Sequence, residues 1–267
     1  MTRGLSCPPL LRGGSFSAPV VFGAPTIALG LAWSQIFSHD HERAAGLLAD
    51  LRAVDLEFFD QQTRRKVECW RDLVAAIGMA TADNLIESRL QCEAWVKLHG
   101  DADLVCKGAI LTCLCFIAGS EHRFDDQIKL TFDATSINNI ADHRYALGWL
   151  HSATIYSALA KGDVRSGAEL LRMARKDENA NINSTPFSAN LLNTLELEIQ
   201  YEANRLDGIN IRIDDILEFV RQHGVVDFIF SAYRTAAAID RHNGDLKGAI
   251  GRLQEMRVIA GEFVRIR

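Results

Sequence analysis

Proline is nearly absent from this 267-residue chain once its first residues are passed. Pro8, Pro9, Pro19 and Pro25 crowd the start, and Pro186 alone lies beyond them. Proline removes an amide donor and clashes in a helix interior, so its scarcity leaves the rest of the chain free to form long helices. An excess of basic charge is also missing. Lys and Arg number 29 against 34 Asp and Glu, a formal net charge of −5. That balance excludes the basic face that a direct nucleic-acid binder uses to neutralise phosphates. The six cysteines (Cys7, Cys69, Cys92, Cys106, Cys113 and Cys115) form no C-x-x-C pair, and most sit in apolar runs such as residues 110–116. They read as reduced core thiols of a cytoplasmic protein rather than as a disulfide framework. No apolar run is long and unbroken enough to span a membrane: residues 18–33 come nearest, but Pro19 and Pro25 interrupt them. Residues 1–24 are therefore expected to be a flexible leader, and residues 25–267 one helical domain.

What the chain does have is a recurring phrase: an apolar helix, a short polar turn holding Asp, then small and apolar residues at helical spacing. The clearest copies are residues 156–168, 238–249 and 201–208, with weaker ones at 38–45, 80–83 and 123–126. The marker residues Asp40, Asp83, Asp125, Asp163, Asp207 and Asp245 stand 43, 42, 38, 44 and 38 residues apart. Such a period belongs to two-helix repeats. Gly162 and Gly244 suit a left-handed end to the first helix of a pair. Asp163 and Asp245 then suit the cap of the second, where a carboxylate meets free amides and the positive end of the helix dipole. Ala44, Gly167 and Ala249 each fall four residues after a marker, where a small residue lets the paired helices approach. Apolar steps of three and four, as in Leu191, Leu192, Leu195 and Ile199, favour helix over strand. The spacing predicts helices over 26–37 with 40–54, 62–79 with 83–98, 102–118 with 124–138, 143–161 with 164–177, 187–205 with 209–222, and 226–242 with 246–263. The expected fold is all-α: a right-handed tetratricopeptide-like α-solenoid of about six helical hairpins. A loop is expected at 179–186 and an irregular start at 208–213.

Three stretches, Asp142 to Trp149 with Gly162 and Asp163, Tyr201 to Asp207, and Phe219 to Val226, carry a resemblance. From about Ala28 onward the chain resembles the helical-repeat sensor arm of large LuxR-type, MalT-like ATP-binding bacterial transcriptional regulators. The resemblance implies a surface where an inducer or a partner protein is sensed. The chain departs from the family in having no G-x-x-x-x-G-K-[ST] loop, the amide cradle and lysine that hold nucleotide phosphates. It also stops where the family continues into a helix-turn-helix. ATP hydrolysis and DNA binding are therefore not expected of it.

Candidate chemistry is sparse. His39-Asp40-His41-Glu42 places alternate histidines in a turn, but further ligands for a metal are not evident, and a solvated turn is the better reading. Cys113 and Cys115 lie two apart on a helix and point to different sides. Glu196, Glu198 and Glu202 form no recognisable acid–base pair, and Arg64-Arg65-Lys66 beside Trp70 reads as a solvated helix start. No catalytic residue, metal or cofactor is expected, and the chain is read as a non-enzyme. The expected partners are a protein or a small-molecule inducer, with no direct nucleic-acid or membrane contact and with homo-oligomers allowed. A groove on the first helices of the late repeats would use Tyr145, Trp149, Ser152, Asn190, Thr194, Tyr201, Tyr233 and Arg234, since solenoids bind on concave surfaces. Rival readings are a truncated or free-standing protein scaffold and a helical small-molecule enzyme. The enzyme would need a deep pocket with converging polar groups.

Overall fold

The structure, a computed structural model, describes residues 24–179, 186–206 and 213–264. Among them are twelve α-helices: α1 (Pro25–Ile36), α2 (His41–Ala53), α3 (Gln61–Thr81), α4 (Leu85–His99), α5 (Leu104–Ser120), α6 (Phe124–Ile140), α7 (Arg144–Ala160), α8 (Val164–Asn179), α9 (Pro186–Glu202), α10 (Ile213–His223), α11 (Val226–His242) and α12 (Leu246–Val264). The expected leader, most of the 179–186 loop, Asp207 and the irregular stretch 208–212 lie outside the described residues.

One backbone bond closes these hairpins. The amide that follows the first helix reaches back five residues: Asp40 N to Gln35 O at 3.0 Å, Asn84 N to Met79 O at 2.8 Å, Arg123 N to Ala118 O at 2.8 Å, Asp163 N to Ala158 O at 2.9 Å and Asp245 N to Asp240 O at 2.9 Å. The residue before that amide is left-handed each time: His39 (φ 60), Asp83 (φ 64), His122 (φ 58), Gly162 (φ 76) and Gly244 (φ 82). This is the Schellman closure, which satisfies carbonyls that a helix end leaves free. It corrects the register of two markers. Asp83 occupies the left-handed position rather than the cap, and Asp125 lies inside the first turn of α6, whose cap position is Arg123. Asp40, Asp163 and Asp245 do cap, accepting from Arg43 N at 3.3 Å, Ser166 N at 3.0 Å and Gly248 N at 2.8 Å. Asp60 and Asp103 cap α3 and α5 in the same way.

Each helix packs on the next, and each odd-numbered helix also packs on the odd-numbered helix of the following hairpin. The result is an all-α solenoid of six helical hairpins, its odd-numbered helices forming an inner wall. Small residues set their spacing. A Cβ on Gly119 of α5 would lie 2.4 Å from the Ser157 hydroxyl of α7, and one on Gly148 of α7 would lie 2.4 Å from the Ser188 hydroxyl of α9. Within a hairpin, Gly108 of α5 admits the buried Asn138 of α6, whose amide donates to Gly108 O and to Thr112 Oγ1. Trp95 fills the space between α3 and α4 and donates its indole N–H to Cys69 O at 2.9 Å.

The array curls until its end meets its start. His223 Nδ1 lies 3.5 Å from Phe37 O and His39 meets the Phe263 ring edge-on at 5.2 Å, while at mid-array Ser120 of α5 donates to Asp227 of α11 at 2.8 Å.

Gly108→Ala is expected to lower the urea-derived stability by about 1–3 kcal/mol, because its Cβ would overlap Asn138 Oδ1 at 2.1 Å. Gly46→Ala, with open space around it, is expected to raise stability by about 0.5–1 kcal/mol through helix propensity alone. Equal effects at the two positions would contradict this account of the packing.

Candidate functional site: an apolar groove on the inner wall

The curl of the odd-numbered helices forms a small groove, open on one side. Trp33 and Phe37 come from the end of α1, Ile77 and Thr81 from α3, Thr112, Cys113 and Phe116 from α5, and His143, Tyr145 and Trp149 from the start of α7. Val225, just before α11, closes the far edge. The lining is almost wholly apolar and rich in rings. Phe37 sits at the centre of a cluster, 5.0 Å from Trp33, 6.0 Å edge-on from Tyr145 and 5.9 Å from Trp149. Trp149 in turn stacks on the buried Phe228 at 5.9 Å with the planes 13° apart, and Phe187 packs against both Tyr145 and Trp149. Rings offset or edge-on in this way gain from their quadrupoles as well as from burial.

The polar side chains of the groove are mostly committed to the fold. The Thr81 hydroxyl donates to Gly78 O at 3.0 Å and that of Thr112 to Gly108 O at 2.9 Å, while the Cys113 thiol lies 3.6 Å from the Ser88 hydroxyl. Burial lowers the His143 pKa below the ordinary histidine value, against the raising influence of the Val105 carbonyl and Asp103, so the ring is neutral at pH 7. His143 Nδ1 and Trp149 Nε1 are both buried without a hydrogen-bond partner.

A polar patch lies further along the same wall. Buried Glu198 of α9 accepts from Ser231 and, at 2.7 Å, from Arg234, both on α11. Burial, with Asp227 and Glu198 nearby, pushes the Tyr156 phenol up to about 12. Burial likewise raises the Asp227 carboxyl. Glu196 turns the other way, toward Arg175 at 2.9 Å, so Glu196 and Glu198 do not converge.

The eight residues expected from the sequence divide into three groups. Tyr145 and Trp149 line the groove. Ser152, Thr194 and Tyr233 are buried in helix packing, the two hydroxyls bonded to carbonyls one turn back in their own helices. Asn190 is exposed, Tyr201 packs half-buried against the core of the last hairpins, and Arg234 anchors Glu198 with its side chain 67% exposed. Sequence reasoning missed Trp33, Phe37, His143 and Val225. The available signal was Trp33 with Phe37 at i,i+4, an aromatic pair on one helical face. The described cysteines are buried and unpaired, and burial helps push the Cys106 and Cys115 thiols upward, Cys115 to about 11. No cluster of three metal-ligating side chains and no helix long and apolar enough to cross a membrane occurs among the described residues.

The chain is thus an all-α solenoid whose inner wall carries an apolar aromatic groove. Its sequence is 38% identical over 238 residues to the HTH-type transcriptional regulator AlkS of Pseudomonas putida, and 36% identical over 238 residues to AlkS of Ectopseudomonas oleovorans. It is 28% identical over 237 residues to AlkS of Alcanivorax borkumensis. These matches cover 89% of this chain but only 26–27% of the relatives, so the chain spans about a quarter of the length of the regulators it resembles. No protein-family model matches the chain. No solved structure matches it either.

The seam between start and end gives a pH dependence. Burial, and secondarily the neighbouring His41 and His223, hold the His39 pKa at about 4 against an ordinary value of 6.5. Between those values the unfolded chain binds more protons than the folded one, so stability rises with pH across this window and is lost on acidification. The urea midpoint should therefore fall between pH 7 and pH 4.5. His39→Asn keeps a residue that tolerates a left-handed turn and should flatten part of that slope. An unchanged slope in the variant would argue against burial of the His39 ring at the seam.

Proposed function

We propose that this chain is a sensor segment of a transcriptional regulator, and that its inner groove takes a small apolar inducer. One observation carries the reading: an apolar groove open to solvent, walled by Trp33, Phe37, Phe116, Tyr145 and Trp149 on a curved helical wall. Large apolar surface facing a cavity, left unburied by the fold, is the usual mark of a ligand site. The regulator relatives supply the context, and the resemblance to LuxR-type sensor arms agrees with it. The groove offers no carboxylate, and its one imidazole is neutral with no nucleophile beside it except the Cys113 thiol, so binding rather than a chemical step is its natural work. The ligand would act by differential affinity for two arrangements of the array, since only a difference in affinity shifts an equilibrium.

N-phenyl-1-naphthylamine, a neutral apolar fluorophore, should bind the chain saturably at one site and raise its melting temperature. At a hundred times the dissociation constant the gain is about 2.7 kcal/mol, several degrees for a domain of this size. Ala146→Trp, which fills the groove from α7, should abolish the fluorescence gain while leaving the helical circular dichroism unchanged. Undiminished binding in that variant would place the site elsewhere.

A second reading, docking of a partner protein on the outer face, is favoured by the apolar stripe of α6, where Ile128, Phe132 and Ile140 are 67%, 77% and 68% exposed. Phe132→Ser should then weaken any self-association or partner capture seen by sedimentation, and leave naphthylamine binding alone.

A further inference from the structure

The even-numbered helices share one register, and α12 departs from it. In α8 the first, fifth and eighth residues, Val164, Ala168 and Leu171, lie in one apolar core with Leu191, Leu192 and Leu195 of α9, the odd-numbered helix that follows. In α10 the same positions, Ile213, Leu217 and Val220, lie in one core with Ile229, Ala232 and Ala236 of α11. The first and eighth residues are buried or half-buried in α2, α4 and α6 as well. In α12 these positions hold Leu246, Ile250 and Leu253, which are 61%, 56% and 43% exposed. Steps of four and three place the three on one helical face. α12 turns another face to α11, with Met256, Ile259 and Phe263 in their shared core. The odd-numbered helices show the same departure. The ninth residues of α3, α5, α7 and α9 are Cys69, Thr112, Ser152 and Thr194, all buried, whereas the ninth of α11, Arg234, has its side chain 67% exposed. The α11–α12 hairpin thus carries the pattern that elsewhere meets a following hairpin, and none follows it among the described residues.

We propose that this end face is an interface between two copies of this chain, which stack with α12 antiparallel to the α12 of the second copy. The stripe complements itself. With the two-fold axis between Gly251 and Arg252, Ile250 of each copy meets Leu253 of the other. Arg257, exposed and in line with the stripe, then lies across Leu246 of the other copy, its aliphatic stem on the leucine and its guanidinium beside the exposed Asp245. Asp245 caps α12 through one carboxylate oxygen, 2.8 Å from Gly248 N, so the turn holds it in place. Arg234 can lie at the same face without repelling its counterpart, because Glu198 pairs with it at 2.7 Å. The area sets the strength. Helices of 17 and 19 residues are about 26 and 28 Å long and about 10 Å wide, so the face offers about 500 Å² per copy. A total of about 1,000 Å² is the lower limit for a specific interface and suits a dimer that dissociates in the micromolar range. The α12 stripe alone would offer about half of that, so the stack needs both helices.

Sedimentation velocity on the full chain tests this. From about 1 to 100 µM, the range that brackets so small an interface, the chain should pass from monomer to dimer. Leu253→Arg places two unpaired charges beside the axis and should abolish the dimer over that range. Because Leu253 is exposed in the monomer, the helical circular dichroism and naphthylamine binding of this variant should be unchanged. Asp245→Asn, which keeps a capping oxygen, and Arg257→Gln should each weaken the dimer by about two- to tenfold. Together they should weaken it no further than either alone, since they remove one and the same pair. Phe132→Ser, on the outer stripe of α6, should leave the dimer intact. A chain that stays monomeric throughout, or a dimer untouched by Leu253→Arg, would overturn the proposal. A dimer lost in Phe132→Ser and kept in Leu253→Arg would overturn it too, in favour of the α6 stripe. Fully additive losses at Asp245 and Arg257 would overturn the antiparallel register. None of these outcomes bears on the groove, which lies on other helices.

Discussion

The bond that reaches back five residues at each hairpin turn governs the rest of the molecule. It fixes where one helix stops and sets the angle at which its partner returns, and it recurs at every inner-to-outer turn among the described residues that is traced through to its second helix. The constraint behind it is steric. The residue before the bonded amide must turn left-handed, which glycine does freely and other residues do at a cost. Gly162 and Gly244 meet the demand cheaply, whereas His39, Asp83 and His122 meet it under strain. Turns of one geometry stack hairpins in one manner, so the odd-numbered helices fall on one wall. Small residues at their crossings then bring them close enough to curl.

That curl makes the groove. No single hairpin contains it: its walls come from α1, α3, α5 and α7, and its far edge from the residue ahead of α11. Phe37 links groove to seam, since its ring touches Tyr145 and Trp149 while its carbonyl faces His223. Two residues later His39 meets Phe263 of α12. Under the proposed function, a ligand wedged against Phe37 would press on the contact that closes the array. A shift there would change how α12 sits relative to α1, which is the kind of two-state element that a binding event can bias.

The hairpins were legible in the sequence because their determinants are local. Proline scarcity, apolar steps of three and four, and the pairs Gly162–Asp163 and Gly244–Asp245 each act within a few residues. The less regular turns show the limit of that reading. Aspartate marks a cap at Asp40, Asp163 and Asp245, but at Asp83 it fills the left-handed position and at Asp125 it has moved into the helix, because the recurring element of the turn is a backbone bond that several residue types satisfy. The groove was half legible. Tyr145 and Trp149 were found because they lie on an inner helix, but Ser152 and Thr194 share that wall and face inward to the packing. Trp33 and Phe37 were missed because their neighbours come from hairpins more than a hundred residues away, and the curvature that joins them is the sum of many small-residue contacts. The Ser120–Asp227 pair has the same origin.

Locally consistent sequences fold well, so the places where this one breaks its own rules carry information. Most of its polar atoms obey. The threonines of the inner wall bond their own helices, and Trp95 finds the Cys69 carbonyl. Several exceptions gather in two adjoining places. His39 is left-handed and half-buried at the seam, and neither its ring nitrogens nor those of the neighbouring His41 have a partner, while His143 Nδ1 and Trp149 Nε1 are buried without one behind the groove. A chain selected for stability alone has cheap remedies at each: glycine or asparagine at 39, phenylalanine at 149. Under the proposed function, unsatisfied groups beside the cavity and at the contact that closes the array would be tolerated because the two places are linked.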